Sequence, residues 1–479
     1  PHTPQGANHP GGRGTAHCRG LQFAHGAAGD RVSGDLYHLA LAGRRRGPRP
    51  EIQPMRKTST VPRLILIATT LRGASAVLWL GYTWLLTQLL PAAQLGTMLT
   101  VLSLAGLLAG LLTAGWAQLI LRDGARLWRT ERAGALTTLI ARAFTSLALR
   151  GFACALLIGV VLGTTQNPML PHDALTLCMM IAIPLLTALL GMLTAARRAQ
   201  GALVAALTSQ TMLRAAIPLA GCAVYAHIAP LTPTAALWIY AAGVVLCLPL
   251  AWPLSAPPLP YRPNRAALRA LTSAQVGWMV LSHLDVIVLS LLATPTQAAL
   301  YLVARRLAGL LALLFEALRS ALAPAVSRAY HAQAGFGGLA ARTNLGFFLI
   351  GSGGATGLAM LGPLSLPLFG TDFSGAAGIL IWLTLGQAAP ALFGATGMLM
   401  TMTDMERHRA LLIWVAVPVT ASAQLYAASQ SLHALAMATA LGQLGFAAIC
   451  AVALAHRHGI LPGVTALLHP SLRFKANDA

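Results

Sequence analysis

Leu104-Ala105-Gly106-Leu107-Leu108-Ala109 returns, letter for letter, as Leu307-Ala308-Gly309-Leu310-Leu311-Ala312. In a chain this rich in Leu and Ala, six identical residues carry weight only through their register. Here the register is specific, because the same offset lays the first long apolar run on the seventh and the second on the eighth. A spanning helix needs roughly 20 predominantly apolar residues. Runs of that length fall near 64–89, 97–121, 144–163, 174–196, 200–226, 235–254, 271–292, 299–322, 344–366, 376–401, 410–428 and 433–455. The expected fold is therefore all-α, a polytopic membrane protein of about twelve transmembrane helices. Its two six-helix halves share one orientation and enclose a central cavity near the midplane.

Composition agrees with lipid as the main solvent. The 479 residues are 56% hydrophobic and 9% charged, with a mean hydropathy of +0.67, against about 25% charged residues in soluble domains. A net charge of +21 would suggest nucleic acid if it lay in basic stripes with interleaved aromatics. Instead the arginines punctuate the apolar runs, which excludes a nucleic-acid partner and gives the positive-inside pattern. Alternate connections hold Arg122, Arg126, Arg129 and Arg132, then Arg197 and Arg198, then Arg262, Arg265 and Arg269, then Arg328 and Arg342, then Arg407 and Arg409. The intervening connections, including 164–173 with its one acid Asp173, hold no Lys or Arg. Both termini are expected in the cytoplasm.

The expected division is a leader at 1–54 that is disordered or misassigned, a first half at 55–254, a cytoplasmic linker at 255–268, a second half at 269–456 and a cytoplasmic tail at 457–479. Met55-Arg56-Lys57 marks the expected true start, and the Pro-rich stretch 255–263 the linker. The six cysteines show no paired spacing and read as free thiols, not metal ligands or disulfides. No cofactor is implied.

At the boundary of the halves the sequence resembles a known family. His283-Leu284-Asp285-Val286-Ile287-Val288-Leu289, Tyr301-Leu302-Val303-Ala304-Arg305-Arg306-Leu307 and Ala323-Pro324-Ala325-Val326-Ser327 follow one another as related motifs do in polysaccharide exporters. Leu90-Pro91-Ala92-Ala93-Gln94-Leu95-Gly96 is similar to their first turn, and 399–407 to the end of their tenth helix. Ala299 departs from the family's usual Gly. The resemblance, over roughly 60–455, implies the multidrug/oligosaccharidyl-lipid/polysaccharide exporter fold and, within it, repeat-unit flippases of the Wzx type. Such proteins move undecaprenyl-pyrophosphate-linked oligosaccharide, an exopolysaccharide or O-antigen repeat unit, from the cytoplasmic to the periplasmic face of a bacterial inner membrane. The implied partners are that lipid-linked sugar, membrane lipid, a polysaccharide polymerase and a chain-length regulator.

Charges inside the apolar runs are the candidate site. Each Arg at a lipid-facing helix centre costs roughly 2.5–3.5 kcal/mol, so Arg72, Arg150, Arg214, Arg305 and Arg306 are expected to face an aqueous cavity or one another. A cationic cavity suits a pyrophosphate, because guanidinium forks bind phosphate oxygens bidentately. Arg305 and Arg306 point about 100° apart on a helix, so one of them faces the cavity, and the family pattern favours Arg306. Arg150 reads equally as an interfacial side chain. Asp285 reads either as a protonatable coupling group or as a structural partner of an arginine. Glu316 is the other coupling or gating candidate, and with Arg319 it also reads as a local ion pair. Gly351-Ser352-Gly353-Gly354-Ala355-Thr356-Gly357 has the look of a phosphate loop but lacks the following Gly-Lys-Ser/Thr; this run, with Gly106 and Gly110, reads as close helix packing. An enzyme is disfavoured, since paired-carboxylate chemistry has no segment to occupy. A drug/cation antiporter of the same superfamily is the principal alternative, and a membrane polymerase or ligase a remoter one.

Overall fold

Apolar residues surround most of the long helices on every side, the pattern of helices embedded in lipid or in one another. The computed structural model describes residues 60–129, 132–164, 174–254, 256–331, 336–403 and 405–460. The expected leader with Met55, the connection bearing Asp173 and the far end of the tail lie outside the described residues. The spans are α1 (Thr60–Leu89), α2 (Ala92–Thr113), α3 (Ala133–Thr164), α4 (Ala174–Ala199), α5 (Leu203–Ala226), α6 (Pro233–Ala251), α7 (Arg265–Leu292), α8 (Pro295–His331), α9 (Phe336–Ser365), α10 (Thr371–Phe393), α11 (Glu406–Gln430) and α12 (Leu432–His458). Eleven helices among the described residues are long and apolar enough to cross a membrane. To these α1 adds 30 residues, roughly 45 Å by helical rise.

Within the first half α2 packs on α4, α4 on α6, α1 on α5 and α5 on α6; in the second, α8 packs on α10, α10 on α12, α7 on α11 and α11 on α12. These are corresponding pairs of a parallel six-helix repeat. The halves meet through α2 and α8, flanked by α2 with α7 and α1 with α8. Exposed Leu149, Phe152 and Leu156 on α3 and Met360, Leu361 and Leu364 on α9 form an outer apolar surface suited to lipid.

The α2–α8 contact depends on one glycine. A Cβ on Gly96 would overlap the carbonyl oxygen of Pro295, and the Ala299 nitrogen would lie 3.0 Å from it. Gly110 packs similarly on Met279, whereas a Cβ on Gly106 meets no neighbour within 4 Å. The expectation of close packing at Gly106 is thus corrected.

Two helix breaks occur at glycines of positive φ, Gly115 at 78° and Gly394 at 81°, where residues with a Cβ are strained. Asn344 of α9 accepts a hydrogen bond from the Ala395 backbone nitrogen at 3.1 Å beside the second break. After the first break comes an amphipathic helix, Trp116–Arg129. The linker does not hang free: Leu259 donates to the Gly134 carbonyl at 3.0 Å, and Tyr261 donates to Asp123 Oδ2 at 3.0 Å. Burial, with Asp123 beside it, pushes the Tyr261 phenol above its usual range. α7 begins at Arg265, inside the expected linker, because Asn264 caps it by accepting from the nitrogens of Ala266 and Ala267.

Candidate substrate site

Arg214 and Arg306 both approach one indole, that of Trp79. The Arg214 Cζ lies 5.8 Å from the Trp79 ring centroid and the Arg306 Cζ 5.7 Å from it, both within cation–π range. Arg214 Nε and Nη2 donate to Tyr240 Oη at 2.9 and 2.7 Å, and Arg306 Nη1 donates to Thr83 Oγ1 at 2.6 Å. The cluster draws on α1, α5, α6 and α8, and so on both halves. Among the described residues neither guanidinium joins an ion pair. Their partners are hydroxyls and aromatic faces, which leave the charge uncancelled.

Local backbone aims these groups. Residues Thr208–Leu213 of α5 form a π-helical stretch, which shifts the register immediately before Arg214; such insertions are frequent at functional sites. Trp79 and Thr83 are four residues apart and share a face of α1. Arg306 lies roughly 16 Å along α8 from its first residue, and Arg214 roughly 18 Å from the last residue of α5, by helical rise. Both are therefore near mid-membrane.

Arg305 turns away from its neighbour. Its Nε donates to Asp285 Oδ2 at 2.7 Å and its Nη2 to the Ser282 carbonyl at 2.7 Å. Tyr301 also donates to Asp285 Oδ2, at 3.1 Å, and its hydroxyl lies 3.3 Å from Thr439 Oγ1, to which Gln424 Nε2 donates at 3.1 Å. This second network joins α7, α8, α11 and α12, all of the second half. Asp285 is thus paired with an arginine of α8.

The remaining candidates lie apart. Arg150 Nη1 donates to the carbonyls of Leu112 and Ala114 at 3.3 and 3.0 Å, so it caps the C-terminal end of α2, where a cation is favourable. Arg72 Nη1 donates to the Glu316 carbonyl at 3.3 Å, tying α1 to α8 a second time, and Glu316 Oε2 pairs with Arg319 at 3.2 Å. Arg198 of α4 lies in the electrostatic neighbourhood of Arg72 and Glu316. Among the described residues no three His, Cys, Asp or Glu side chains converge as metal ligands do.

Sequence reasoning missed Trp79, Tyr240, Thr83, Tyr301, Thr439 and Gln424. For Trp79 a signal existed, since it sits inside an apolar run, away from the interfacial belts where Trp is enriched.

The sequence matches no family model and no curated protein. The fold is similar to that of MATE proteins. A multidrug resistance MATE family transporter of the MOP superfamily, in an inward-facing conformation, superposes with a TM-score of 0.62 at 12% identity, over 84% of this chain and 98% of that one. The outward-facing conformation of such a transporter gives 0.56 at 12% identity, over 83% and 95%. A MATE protein in a bent conformation gives 0.57 at 11% identity, over 86% and 96%. This chain is accordingly a multi-pass, all-helical membrane protein whose fold is similar to that of the MATE structures.

Proposed function

We propose that this protein flips an undecaprenyl-pyrophosphate-linked oligosaccharide from the cytoplasmic to the periplasmic face of a bacterial inner membrane. The observation that carries the reading is the Arg214–Trp79–Arg306 cluster. Two guanidiniums without an acidic counterion among the described residues, near mid-membrane and at the seam of two halves, suit a diphosphate that must cross a low-dielectric slab. An inside-negative potential favours outward movement of an anion by roughly 2.3 kcal/mol per charge per 100 mV, so moderate affinity is enough for transport.

The likeness to multidrug transporters raises a cation or drug antiporter as the second reading. Charge opposes it, because Arg214 and Arg306 repel a cation and the buried acid Asp285 is engaged by Arg305.

The test is transport of undecaprenyl-diphosphate-linked sugar into the lumen-facing leaflet of proteoliposomes. Arg214→Gln and Arg306→Gln should each slow it by about 10- to 100-fold, as expected for loss of a charge-assisted hydrogen bond. The Lys variants should keep intermediate rates, since charge survives and the bidentate fork does not. Wild-type rates in both Gln variants would reject the reading, and drug-dependent proton flux would favour the antiporter.

A further inference from the structure

Tyr240 occupies an edge of Arg214 that an oxyanion would take. A planar guanidinium presents Nε and Nη2 side by side, and such a fork is how it grips a phosphate. Both nitrogens here converge on the Tyr240 hydroxyl oxygen, at 2.9 and 2.7 Å. Among the described residues that oxygen has no other hydrogen-bond partner. The second guanidinium is more open. Arg306 donates through Nη1 to Thr83 Oγ1 at 2.6 Å, and Thr83 donates its own proton to the Trp79 carbonyl at 2.9 Å. The Nε–Nη2 fork of Arg306 has no hydrogen-bond partner among the described residues.

The needs of the empty site explain why a hydroxyl stands beside Arg214. A guanidinium near mid-membrane is costly unless its donors are met. A carboxylate would meet them and hold the arginine fast, as Asp285 holds Arg305 at 2.7 Å, and its charge would repel an anionic head. A hydrocarbon wall would leave the cation unsatisfied. A phenol oxygen lies between these extremes. It accepts both bonds without a charge, and it is a weaker acceptor than a phosphate oxygen, which adds its own charge to the bond.

We infer that Tyr240 is a stand-in for the head of the substrate: it occupies Arg214 while the site is empty and yields that fork when a diphosphate binds. The inference rests on the function proposed above and adds the residue that sets how tightly the head is held. The Tyr240 ring is 2% exposed and packs on Trp79 with ring centroids 6.1 Å apart. The ring therefore stays in place, and the arginine, on its long flexible stem, is the part that turns. A diphosphate meets the open fork of Arg306 first and then draws Arg214 from the phenol. On release Tyr240 takes the fork back, and this return to a satisfied cation helps the head to leave.

Binding to the purified full chain in nanodiscs tests this, with inorganic diphosphate and undecaprenyl diphosphate as separate probes. Tyr240→Phe removes one oxygen and keeps the ring. The empty site then loses its stand-in while the filled site loses nothing, so both probes should bind about tenfold more tightly, the scale of one hydrogen bond to a charged group. In the transport assay KM should fall, and the maximal rate should fall with it because release slows. In an Arg214→Gln background the Phe change should leave affinity as it was. Weaker binding in Tyr240→Phe would overturn the inference by making the phenol a fixed support for Arg214, and unchanged binding would overturn it by placing the anion on another edge. Tightening that persists without Arg214 would overturn it too. So would tightening of inorganic diphosphate alone, which would make the site one for a free anion, or of the lipid alone, which would put the effect away from the head. Should the Phe variant fail to fold, the wild-type protein decides: adding inorganic diphosphate should shift one tyrosine C–O stretch in the infrared difference spectrum, a change absent in Arg214→Gln, and no shift would overturn the stand-in. Wild-type affinity for both probes in Arg214→Gln and Arg306→Gln would instead reject the head site, and with it the function built on it.

Discussion

Asp285 is 3% exposed, and one of its oxygens accepts from both Arg305 and Tyr301. Removing one member of a buried pair strands the other, at a cost of about 3–5 kcal/mol. Because the Arg305 side chain keeps 27% exposure, a cost near the lower end, about 3 kcal/mol, is expected. Asp285→Ala should therefore lower the unfolding temperature of the detergent-purified protein, and adding Arg305→Leu should recover much of the loss, since no lone charge remains. Two losses that simply add would show that the residues are not coupled. Charged members of both networks were legible in the sequence because a charge in an apolar run is costly and so marks itself. Their neutral partners were less so. Trp79 is marked by its place inside an apolar run but names no partner, Tyr240 is an ordinary letter there, and only the packing of α1, α5 and α6 brings the two to one guanidinium. The π-helical stretch before Arg214 carried no signal, since Thr208–Leu213 is compatible with an α-helix.

At the scale of elements, length and apolarity specified the eleven spans found among the described residues and the long α1 before them, and local chemistry displaced their ends. α7 starts at its Asn264 cap, and the run expected at 97–121 divides at Gly115, where Arg150 and Thr272 take up the Ala114 carbonyl. Periodicity alone does not show which glycines serve contacts, because the requirement lies on another helix. This gives a contrast between two glycines of α2. Gly96→Ala sets a methyl group against the Pro295 backbone, which cannot rotate away, so the variant should be depleted from membranes or melt at clearly lower temperature. Gly106→Ala, with nothing nearby, should be neutral or more stable by up to about 1 kcal/mol, the helix-propensity gain over Gly. Equal behaviour of the two in a thermal melt would mean that α2 and α8 are less closely apposed than the structure shows.

Across the whole molecule, the arrangement of the helices brings the arginines of alternate connections to one end. Arg122, Arg126, Arg132, Arg197, Arg262, Arg265, Arg269, Arg342 and Arg407 belong to that end, while the opposite turns, at Pro91, 227–232, 293–294 and 370–372, carry no Lys or Arg and include Asp372. Each Lys or Arg near an anionic leaflet contributes about 1 kcal/mol, so inverting the molecule would cost on the order of 10 kcal/mol. Kinetics during insertion act in the same direction, because short basic loops resist translocation. The arginine-rich end should consequently face the cytoplasm. In a background lacking native cysteines, Ala93→Cys and Asp372→Cys should react with a membrane-impermeant thiol reagent added to spheroplasts, and Ala266→Cys should react only after the membrane is opened. All three positions are exposed at helix ends, so lack of labelling reports sidedness and not burial. Labelling of Ala266→Cys from outside, with protection of the other two, would invert the topology. The potential would still drive an anion outward, but the anion would then enter the Arg214–Trp79–Arg306 site from the end that is poor in arginine.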